Sequence, residues 1–228
     1  MSLKQAEILG VNVNSLTMVQ AVEKVQQFID ERKNALIATA NAEMLMRATQ
    51  DEELKHILNS ADLVVPDGAG TVWAANYLGV EMPERVAGYD LAQELMREAP
   101  GRGDRIYFFG SAPGVAESAR EKAMELYPGI KIVGTRNGFF SEADEPEIIA
   151  EIKAARPDIL LVALGVPKQE KWLYKYRQEL QVPVAIGVGG TLDVMAGVMQ
   201  RAPLWMQKAK LEWLFRGLKQ PSRAGRLL

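Results

Sequence analysis

One acidic side chain stands at a position where open α/β sheets bind their ligands. Asp67 comes between the apolar residues 63–65 and Gly68, a pattern that predicts a short buried strand, a tight turn and then a helix. An Asp at the carboxyl end of such a strand faces the ligand crevice, where its carboxylate could take up a proton. Because Asp also favours the position before a helix, the pattern equally allows Asp67 to be a helix cap.

Two other turns between predicted strands and helices carry groups that suit a phosphate or a nucleoside. Gly110 begins a glycine-containing turn whose backbone amides, together with the dipole of the next helix, can hold a phosphate. Its spacing matches neither the dinucleotide nor the P-loop fingerprint, so many simple α/β turns would look alike. Asp193 follows Gly189 and Gly190, and it could hydrogen-bond a ribose or a base, or cap its helix.

Polar residues also stand at the ends of two further predicted strands. Thr39 and Asn41 lie at one strand-to-helix junction, which places them near the carboxyl edge of the sheet. Pro167 suits the first turn of a helix, from which Lys168 and Gln169 then project. A lysine is unfavourable at a helix start unless an anion is close, and a solvated lysine is the alternative interpretation.

The elements that must position these residues alternate regularly along the chain. Short apolar runs predict buried strands at residues 35–39, 63–65, 105–109, 130–135, 158–164 and 182–188, with helices between them. This alternation predicts an α/β fold, a Rossmann-like parallel sheet flanked by helices. Residues 1–200 then form the α/β domain that carries the candidate site, with a lobe boundary near 100–104. Weak alternation over residues 6–13 predicts an edge strand.

The composition excludes several kinds of site. The 228 residues include no cysteine and a single histidine, His56, which argues against disulfides, histidine or thiolate metal sites and a Ser-His-Asp triad. No paired-carboxylate DxD motif is present, so a bound diphosphate would need arginines and helix N-termini instead of a metal ion. Neither a signal peptide nor a bilayer-spanning apolar run is visible, and we therefore expect the chain in the cytoplasm.

The last part of the chain differs from the rest in its charge. Residues 201–228 carry seven Lys and Arg side chains, and Glu212 is the one acidic residue among them. On a helical wheel, residues 203–219 present two opposite apolar faces, one of which holds Trp205 and Trp213. A helical, basic appendage of this kind could place one face on the protein body and the other on an anionic bilayer interface. A subunit interface is the alternative.

Seven short motifs, taken together, resemble one protein family. In chain order they are Val65-Pro-Asp-Gly68, Pro83-Glu-Arg-Val-Ala-Gly88, Ala163-Leu-Gly-Val-Pro-Lys-Gln-Glu-Lys-Trp172, Gly187-Val-Gly-Gly190, Arg201-Ala-Pro-Leu-Trp-Met-Gln207, Glu212-Trp-Leu-Phe-Arg216 and Gln220-Pro-Ser-Arg223. They stand in the order of the WecG/TagA/CpsF glycosyltransferases. The resemblance covers essentially the whole chain and is greatest to the TagA type.

The resemblance implies a reaction and a location. The reaction is an inverting, metal-independent transfer of N-acetylmannosamine from its UDP donor to undecaprenyl-diphosphate-linked N-acetylglucosamine, in wall teichoic acid linkage-unit synthesis. No cofactor and no nucleic acid partner are expected. The location is peripheral, at the inner face of the cell membrane, where the appendage of residues 201–228 associates with the anionic surface. The resemblance leaves open whether the chain forms a homo-oligomer.

The resemblance also carries over site residues one by one. Asp67 matches the family's candidate general base, which would take the proton from the acceptor hydroxyl. Pocket positions fall on Thr39, Asn41, Arg85 and Gln169, and a donor-binding position falls on Asp193. Arg216, Arg223 and Arg226 match arginines that the appendage brings over the site, where they would stabilise the leaving diphosphate. Phe139 stands where a tyrosine is commoner, so a base stacked there would lose a hydroxyl contact.

Two alternatives stay open beside this assignment. Another enzyme of the same family could transfer N-acetylmannosaminuronic acid or glucose to a surface polysaccharide. A non-catalytic nucleotide-sugar-binding module would bind UDP, but its turnover would not depend on Asp67. A dehydrogenase is disfavoured, because no dinucleotide fingerprint follows any predicted strand.

Overall fold

The structure is a computed structural model in which residues 3–203, 205, 206 and 215 are described. Its strands, in chain order, are β1 (Gln5–Ile8), β2 (Val11–Asn14), β3 (Ala35–Ala40), β4 (Leu63–Pro66), β5 (Arg105–Gly110), β6 (Lys131–Arg136), β7 (Ile159–Ala163) and β8 (Val184–Gly187). Strands β3 to β8 form one sheet in the order β4-β3-β8-β7-β5-β6, and every neighbouring pair is parallel. The predicted parallel α/β sheet is confirmed.

Helices connect these strands and cover both faces of the sheet. They are α1 (Met18–Asp30), α2 (Ala42–Ala48), α3 (Glu52–Ser60), α4 (Ala69–Tyr77), α5 (Gly88–Arg102), α6 (Val115–Leu126), α7 (Glu145–Ala155), α8 (Lys168–Leu180) and α9 (Thr191–Met195). Local sequence fixes several of their ends. At the start of α1, for example, Thr17 and Gln20 each accept a hydrogen bond from the other's backbone amide.

The apolar core lies in two layers, one on each face of the sheet. Successive strand residues alternate between them, so that Ile37 packs in one layer while Leu36 and Ala38 pack in the other. The first layer packs against α1, α5 and α6, and the second packs against α3, α7 and α8. Burial on both faces explains why the strands read as nearly continuous apolar runs in the sequence.

The edge strand predicted for residues 6–13 was wrong. These residues instead form the antiparallel hairpin β1–β2, which is separate from the main sheet. Its turn consists of Leu9 and Gly10, with φ values of 52° and 79°. Two successive residues with positive φ give the turn that short hairpins favour, but Asn or Asp usually stands where Leu9 does. The usual sequence signal of a hairpin is therefore missing.

Helix α5 runs further than the sequence indicated. The periodicity predicts that it ends near Glu98, whereas it continues through Pro100 to Arg102 and ends at Gly103, whose φ is 79°. Strand β5 begins soon afterwards, at Arg105, in the same sheet as β3 and β4. The chain before and after residues 100–104 thus shares one sheet, and a division into lobes at that point stays a prediction.

Three residues are described after Pro203. Trp205 is exposed, Met206 is buried and Phe215 is half-buried. The predicted helical appendage of residues 201–228 lies largely outside the described residues, and so do Arg216, Arg223 and Arg226. Within the part of the chain that is described, no helix combines the length and apolar character needed to cross a membrane.

Candidate active site

A cleft opens at the carboxyl edge of the sheet, beside the ends of β4 and β8. Its walls are Asp67, the start of α5, the loop after β8 and the segment that follows α9, which contribute Ala87, Tyr89, Val188, Gly190, Met199, Gln200, Arg201 and Ala202. This Asp67 cleft has a volume of about 110 Å³. Since pockets for whole ligands of drug size measure about 300–1,000 Å³, the cleft can hold only part of a larger ligand.

Asp67 is held at the wall of the cleft by the backbone on both sides of it. Its amide donates to the carbonyl oxygen of Ala40 at 2.9 Å, and the amide of Val86 donates to the carbonyl oxygen of Pro66 at 3.0 Å. These bonds join the end of β4 to β3 and to the loop before α5. The cap position of α4 is Gly68, with a φ of 98°, and not Asp67. The capping interpretation of Asp67 is therefore wrong.

Thr39 supports the cleft from a buried position. Its hydroxyl donates to the carbonyl oxygen of Gly187 at 3.0 Å, which joins β3 to the end of β8. A Cβ atom on Gly88 would lie 2.9 Å from the Cγ2 atom of Thr39, so the start of α5 can pass this close only because residue 88 is a glycine. A direct contact between Thr39 and a ligand stays a prediction.

Gln169 bridges two loops at the same edge of the sheet. Its Oε1 atom accepts from the amides of Gly165 and Gly189 at 3.2 and 3.1 Å, and its Nε2 atom donates to Oε1 of Glu170 at 2.7 Å. The side chain is 1% exposed, so it reaches the sheet edge as a buried tie between the loops after β7 and β8. Its predicted contact with a substrate stays a prediction.

Asn41 caps a helix, a role that was not predicted from the sequence. Its Oδ1 atom accepts from the amide of Met44 at 2.9 Å and so caps α2. The residue also lies beside the turn that carries Asp67, because a Cβ atom on Gly68 would stand 3.8 Å from the Cβ atom of Asn41. Asn41 is thus at the predicted edge, and its predicted role in a pocket is untested.

An acidic residue of α5 brings two arginines to the cleft. The two terminal nitrogens of Arg201 donate to the two carboxylate oxygens of Asp90 at 2.6 and 2.8 Å. Arg85 lies on the same carboxylate, with 3.8 Å between its Nη2 atom and Oδ2. The guanidinium of Arg201 also lies 4.7 Å from the ring centre of Tyr89. Burial raises the pKa of Tyr89, so its hydroxyl stays protonated at neutral pH and can donate.

A second group of candidate residues lies at the ends of β5 and β6, and we call it the β5–β6 edge. It consists of Gly110, Ser111, Gly138, Phe139 and Asp193. The hydroxyl of Ser111 donates to Oδ2 of Asp193 at 3.2 Å, and the amide of Gly138 donates to the carbonyl oxygen of Ser111 at 2.8 Å. These bonds bring the turn after β5, the loop after β6 and the start of α9 into one surface. Asp193 is the third residue of α9 and not its cap, which is Gly190.

Gly110 could not be any other residue at this edge. Its φ is 128°, and a Cβ atom there would lie 2.4 Å from the carbonyl oxygen of Ala163. A side chain at residue 110 would therefore collide with the backbone of β7, where the amide of Ser111 donates to the carbonyl oxygen of Ala163 at 2.9 Å. The phosphate contact predicted for this turn stays a prediction.

Lys168 and Phe139 occupy the rim of the β5–β6 edge. Phe139 is 74% exposed. Lys168 lies with its Nζ atom 4.0 Å from the ring centre of Phe140 and 3.5 Å from the carbonyl oxygen of Gly138. The ring and the carbonyl oxygen stabilise a lysine at the start of α8, so its presence there requires no bound anion.

Sequence reasoning assigned no role to Tyr89 or Ser111, and it missed the pairing of Arg201 with Asp90. Their partners are distant in sequence: residues 90 and 201 are 111 positions apart, and residues 111 and 193 are 82 apart. Local patterns cannot show such pairs. Across the described ranges, no group of three or more His, Asp or Glu side chains could hold a metal ion.

Comparison with known proteins identifies the family. The model of the glycosyl transferase WecG/TagA/CpsF family matches residues 6–228. The chain belongs to this family. It is therefore an enzyme of the glycosyltransferase class, and the resemblance that its motifs indicated is confirmed.

Relatives within the family are similar to the chain over most of its length. A protein of Bacillus spizizenii is 38% identical over 201 residues, which are 88% of this chain and 77% of the relative. One of Bacillus subtilis is 35% identical over 218 residues, 96% and 84% of the two chains. One of Staphylococcus aureus is 33% identical over 225 residues, 98% and 88%. Each is named N-acetylglucosaminyldiphosphoundecaprenol N-acetyl-beta-D-mannosaminyltransferase.

Proposed function

We propose that the protein transfers N-acetylmannosamine from UDP-N-acetylmannosamine to undecaprenyl-diphosphate-linked N-acetylglucosamine, with inversion and without a metal ion. Such a transfer builds the linkage unit of wall teichoic acid. The observation that carries the proposal is the one shared name of relatives that are 33–38% identical to the chain and match 88–98% of it.

Asp67 is the general base of the proposed reaction. Its carboxylate takes the proton from a hydroxyl of the acceptor sugar as that oxygen attacks the anomeric carbon of the donor. The new bond forms on the face opposite to the bond between the anomeric carbon and the phosphate oxygen, which breaks, so one displacement inverts the configuration. The placement of Asp67 on a cleft wall, one residue before the cap position of α4, supports this assignment.

The leaving group carries the charge that the site must stabilise. When the bond to the anomeric carbon breaks, its electron pair stays on the β-phosphate oxygen of UDP. Arg85 and the appendage residues Arg216, Arg223 and Arg226 are assigned to this charge, because arginine matches phosphate oxygens with two parallel donors. Arg85 already stands beside the cleft, on the carboxylate of Asp90. The absence of a DxD motif from the sequence is in keeping with this arrangement.

The donor extends over both parts of the site. Its sugar occupies the Asp67 cleft, whose volume of about 110 Å³ is too small for the whole donor. The nucleotide then lies along the β5–β6 edge. There the base stacks on the exposed ring of Phe139, Asp193 accepts from a ribose hydroxyl, and the turn at Gly110 faces the phosphates.

The acceptor determines where the enzyme works. An undecaprenyl chain is held in the bilayer, so the enzyme must meet its diphosphate-linked sugar at the membrane surface. We assign the protein to the inner face of the cell membrane, where the basic residues 201–228 contact anionic lipid headgroups. When this segment lies against the α/β domain, it also closes the Asp67 cleft. The residues just before it and at its start, Met199, Gln200, Arg201 and Ala202, already line that cleft.

UDP release with a lipid-diphosphate-N-acetylglucosamine acceptor tests the proposed function. The assay compares UDP-N-acetylmannosamine with the UDP derivatives of N-acetylmannosaminuronic acid and glucose, each with and without EDTA. We expect release with UDP-N-acetylmannosamine that EDTA does not reduce. Magnetic resonance of the product then gives the configuration of the new linkage.

Each other result would change a definite part of the proposal. Activity with a different UDP-sugar alone would keep the family and overturn the substrate. Loss of activity in EDTA that added Mg²⁺ restores would overturn the metal-free mechanism. Binding of UDP without turnover of any donor would identify a non-catalytic binding module, and a product with retained configuration would exclude the single displacement by way of Asp67.

A further inference from the structure

A buried carboxyl group lies directly behind the site and has no part in the reaction described above. Glu170 is the third residue of α8 and is 2% exposed. Its Oε1 atom accepts from Nε2 of Gln169 at 2.7 Å. Its Oε2 atom is buried without a hydrogen-bond partner in the described structure. A buried polar atom left in this state lowers the stability of the fold, so its retention calls for another explanation.

We propose that Glu170 is a positioning residue for glycosyl transfer, because it fixes the orientation of the Gln169 amide that ties the loop after β7 to the loop after β8. The inference rests on the proposed function in one respect, namely that glycosyl transfer is the activity to be measured. The tie itself is a property of the described contacts.

The two ends of the Gln169 amide have opposite requirements. On one side, the amides of Gly165 and Gly189 both donate, so the oxygen of Gln169 must face them. On the other side, the Glu170 oxygen accepts, so the nitrogen of Gln169 must face it. If residue 170 offered no acceptor, the amide would lose its shortest hydrogen bond and be held only by the two longer ones from Gly165 and Gly189, of 3.2 and 3.1 Å. The amide plane, and with it the two loops, would then be less firmly fixed.

The packing around Gln169 and Glu170 shows that the fold leaves a defined space for these two side chains. A Cβ atom on Gly187, at the end of β8, would lie 2.6 Å from Nε2 of Gln169 and 2.9 Å from Oε1 of Glu170. The glycine thus leaves the space that the pair fills. The same Gly187 accepts from the hydroxyl of Thr39 on its other side, at 3.0 Å.

The segment that these hydrogen bonds hold in place is part of the Asp67 cleft. Gly187 and Gly189 flank Val188, which lines the Asp67 cleft, and Gly190 lines it too. Thr39 therefore holds the residue before Val188, and Gln169 holds the residue after it. An error of about 1 Å in the placement of a group around a bound sugar can reduce the rate about 100-fold. Glu170 acts on the reaction through Gln169 and this segment, without touching the substrate.

Three variants test the proposal. Glu170→Met removes the acceptor and keeps the length of the side chain, whereas Glu170→Gln keeps an acceptor oxygen without a charge. Lys171→Met is the matched control, since Lys171 is the neighbouring residue of α8 and pairs with Asp51 and Glu53 on its outer side. The measurements are kcat and KM for the UDP-sugar, thermal stability, and hydrogen exchange at Gly165 and Gly189.

We expect Glu170→Met to lower kcat by about 10- to 100-fold, with KM for the donor changed less than about threefold, because the β5–β6 edge is untouched. Hydrogen exchange at Gly165 and Gly189 should rise, while the melting temperature should change little, because removal of the unpaired carboxyl atom offsets the loss of the acceptor for Nε2 of Gln169. Glu170→Gln should restore most of kcat and of the protection. Lys171→Met should behave as the wild type.

Different results would refute the positioning role of Glu170 and the proposed function. If the wild type transfers no sugar from any UDP donor, the proposed function is wrong, and exchange at the two glycines still tests the tie. Unchanged exchange in Glu170→Met overturns the positioning role, whatever the activity. A fall in kcat that is matched by a lower melting temperature and is not restored in Glu170→Gln also overturns it, because that combination marks a residue needed only for folding.

Discussion

Arg201 and Asp90 contact each other through two parallel hydrogen bonds, of 2.6 and 2.8 Å. One residue follows α9 and the other belongs to the first turn of α5, so the pair fastens the segment after α9 to the start of α5 at the Asp67 cleft. Asp90 is also favourable at a helix start by itself, because its charge complements the helix dipole. The Asp90 carboxylate thus stabilises the start of α5 and also holds Arg201 at the wall of the cleft.

The strength of this pair can be measured by a double-mutant cycle with Asp90→Asn and Arg201→Gln in urea unfolding. Both side chains are about a quarter to a third exposed, and two-point geometry favours arginine pairs, so we expect a coupling free energy of about 1 kcal/mol that added salt reduces. The exposed pair Lys122 and Glu125 is the control and should give less than about 0.5 kcal/mol. Equal couplings for the two pairs would contradict the fastening role.

Replacement of the general base should affect the chemical step far more than binding. We expect Asp67→Asn to lower kcat by about 10²- to 10⁴-fold with little change in KM, because an amide cannot take the proton of the acceptor hydroxyl. Asp30→Asn is a matched control at the opposite edge of the sheet, where Asp30 ends α1. Steady-state UDP release measures both variants. Retained activity in Asp67→Asn would assign the base to another residue.

Two glycine-to-alanine changes should have opposite effects on stability. Gly110→Ala places a Cβ atom 2.4 Å from the carbonyl oxygen of Ala163 at a φ of 128°, and we expect a loss of at least about 2 kcal/mol. Gly101→Ala lies within α5, where nothing stands within 4 Å of the added atom, and should gain about 0.5–1 kcal/mol. Chemical denaturation compares the two, and equal effects would show that the close approach of β5 and β7 is not required.

The exposed ring of Phe139 should matter for donor binding and not for folding. If uracil stacks on it, Phe139→Ala should raise KM for the UDP-sugar about 10-fold or more, while the melting temperature stays within error. Tyr77 is the control, since its exposure of 78% is close to the 74% of Phe139 and it belongs to α4. Tyr77→Ala should leave KM unchanged. A wild-type KM in Phe139→Ala would place the base elsewhere.

The stability of the protein should depend on pH through Glu170. Burial raises the pKa of this carboxyl group from its usual 4.5 to about 7. The folded protein therefore holds the proton more tightly than the unfolded chain does, and the resulting stabilisation is complete below about pH 4.5 and lost as the pH rises through about 7. The loss can reach about 3 kcal/mol, since one pKa unit corresponds to about 1.4 kcal/mol.

Urea unfolding of the wild type and of Glu170→Gln across this pH range isolates that contribution. The difference in unfolding free energy between the two proteins should change steadily from about pH 5 to about pH 8, with the wild type losing relative stability. All other titrating groups are common to both proteins and cancel in the difference. A difference that stays constant with pH would show that Glu170 titrates alike in the folded and unfolded chain.

Much of the fold follows from local pattern. Strands buried on both faces give unbroken apolar runs, and caps such as Thr17 mark where a helix begins. The end of β4 predicted where Asp67 would lie, because parallel strands all end at one edge of the sheet. That rule also brought Thr39, Gln169 and Asp193 to the same edge, although it could not show that Gln169 is buried.

The remainder depends on contacts that no local pattern records. The hydrogen bond between Ser111 and Asp193 joins the turn after β5 to α9, 82 residues further along the chain, and Leu9 adopts a positive φ that its residue type disfavours. Helix α5 was predicted to end near Glu98 but continues to Arg102, with Pro100 inside it. A pattern of neighbouring residues records neither a contact between distant positions nor a conformation that is unusual for its residue type.

The order of the strands has a consequence for how the protein is made. Strand β8 is the last strand in the described part of the chain, yet it lies in the middle of the sheet, where Ile37 of β3 pairs with Ile186 and Ile159 of β7 pairs with Val184. A nascent chain that has emerged only as far as β7 therefore has two separate groups of strands and no wall behind Asp67. The ribosome must deliver nearly the whole α/β domain before any catalytic surface exists, so partial products are inert.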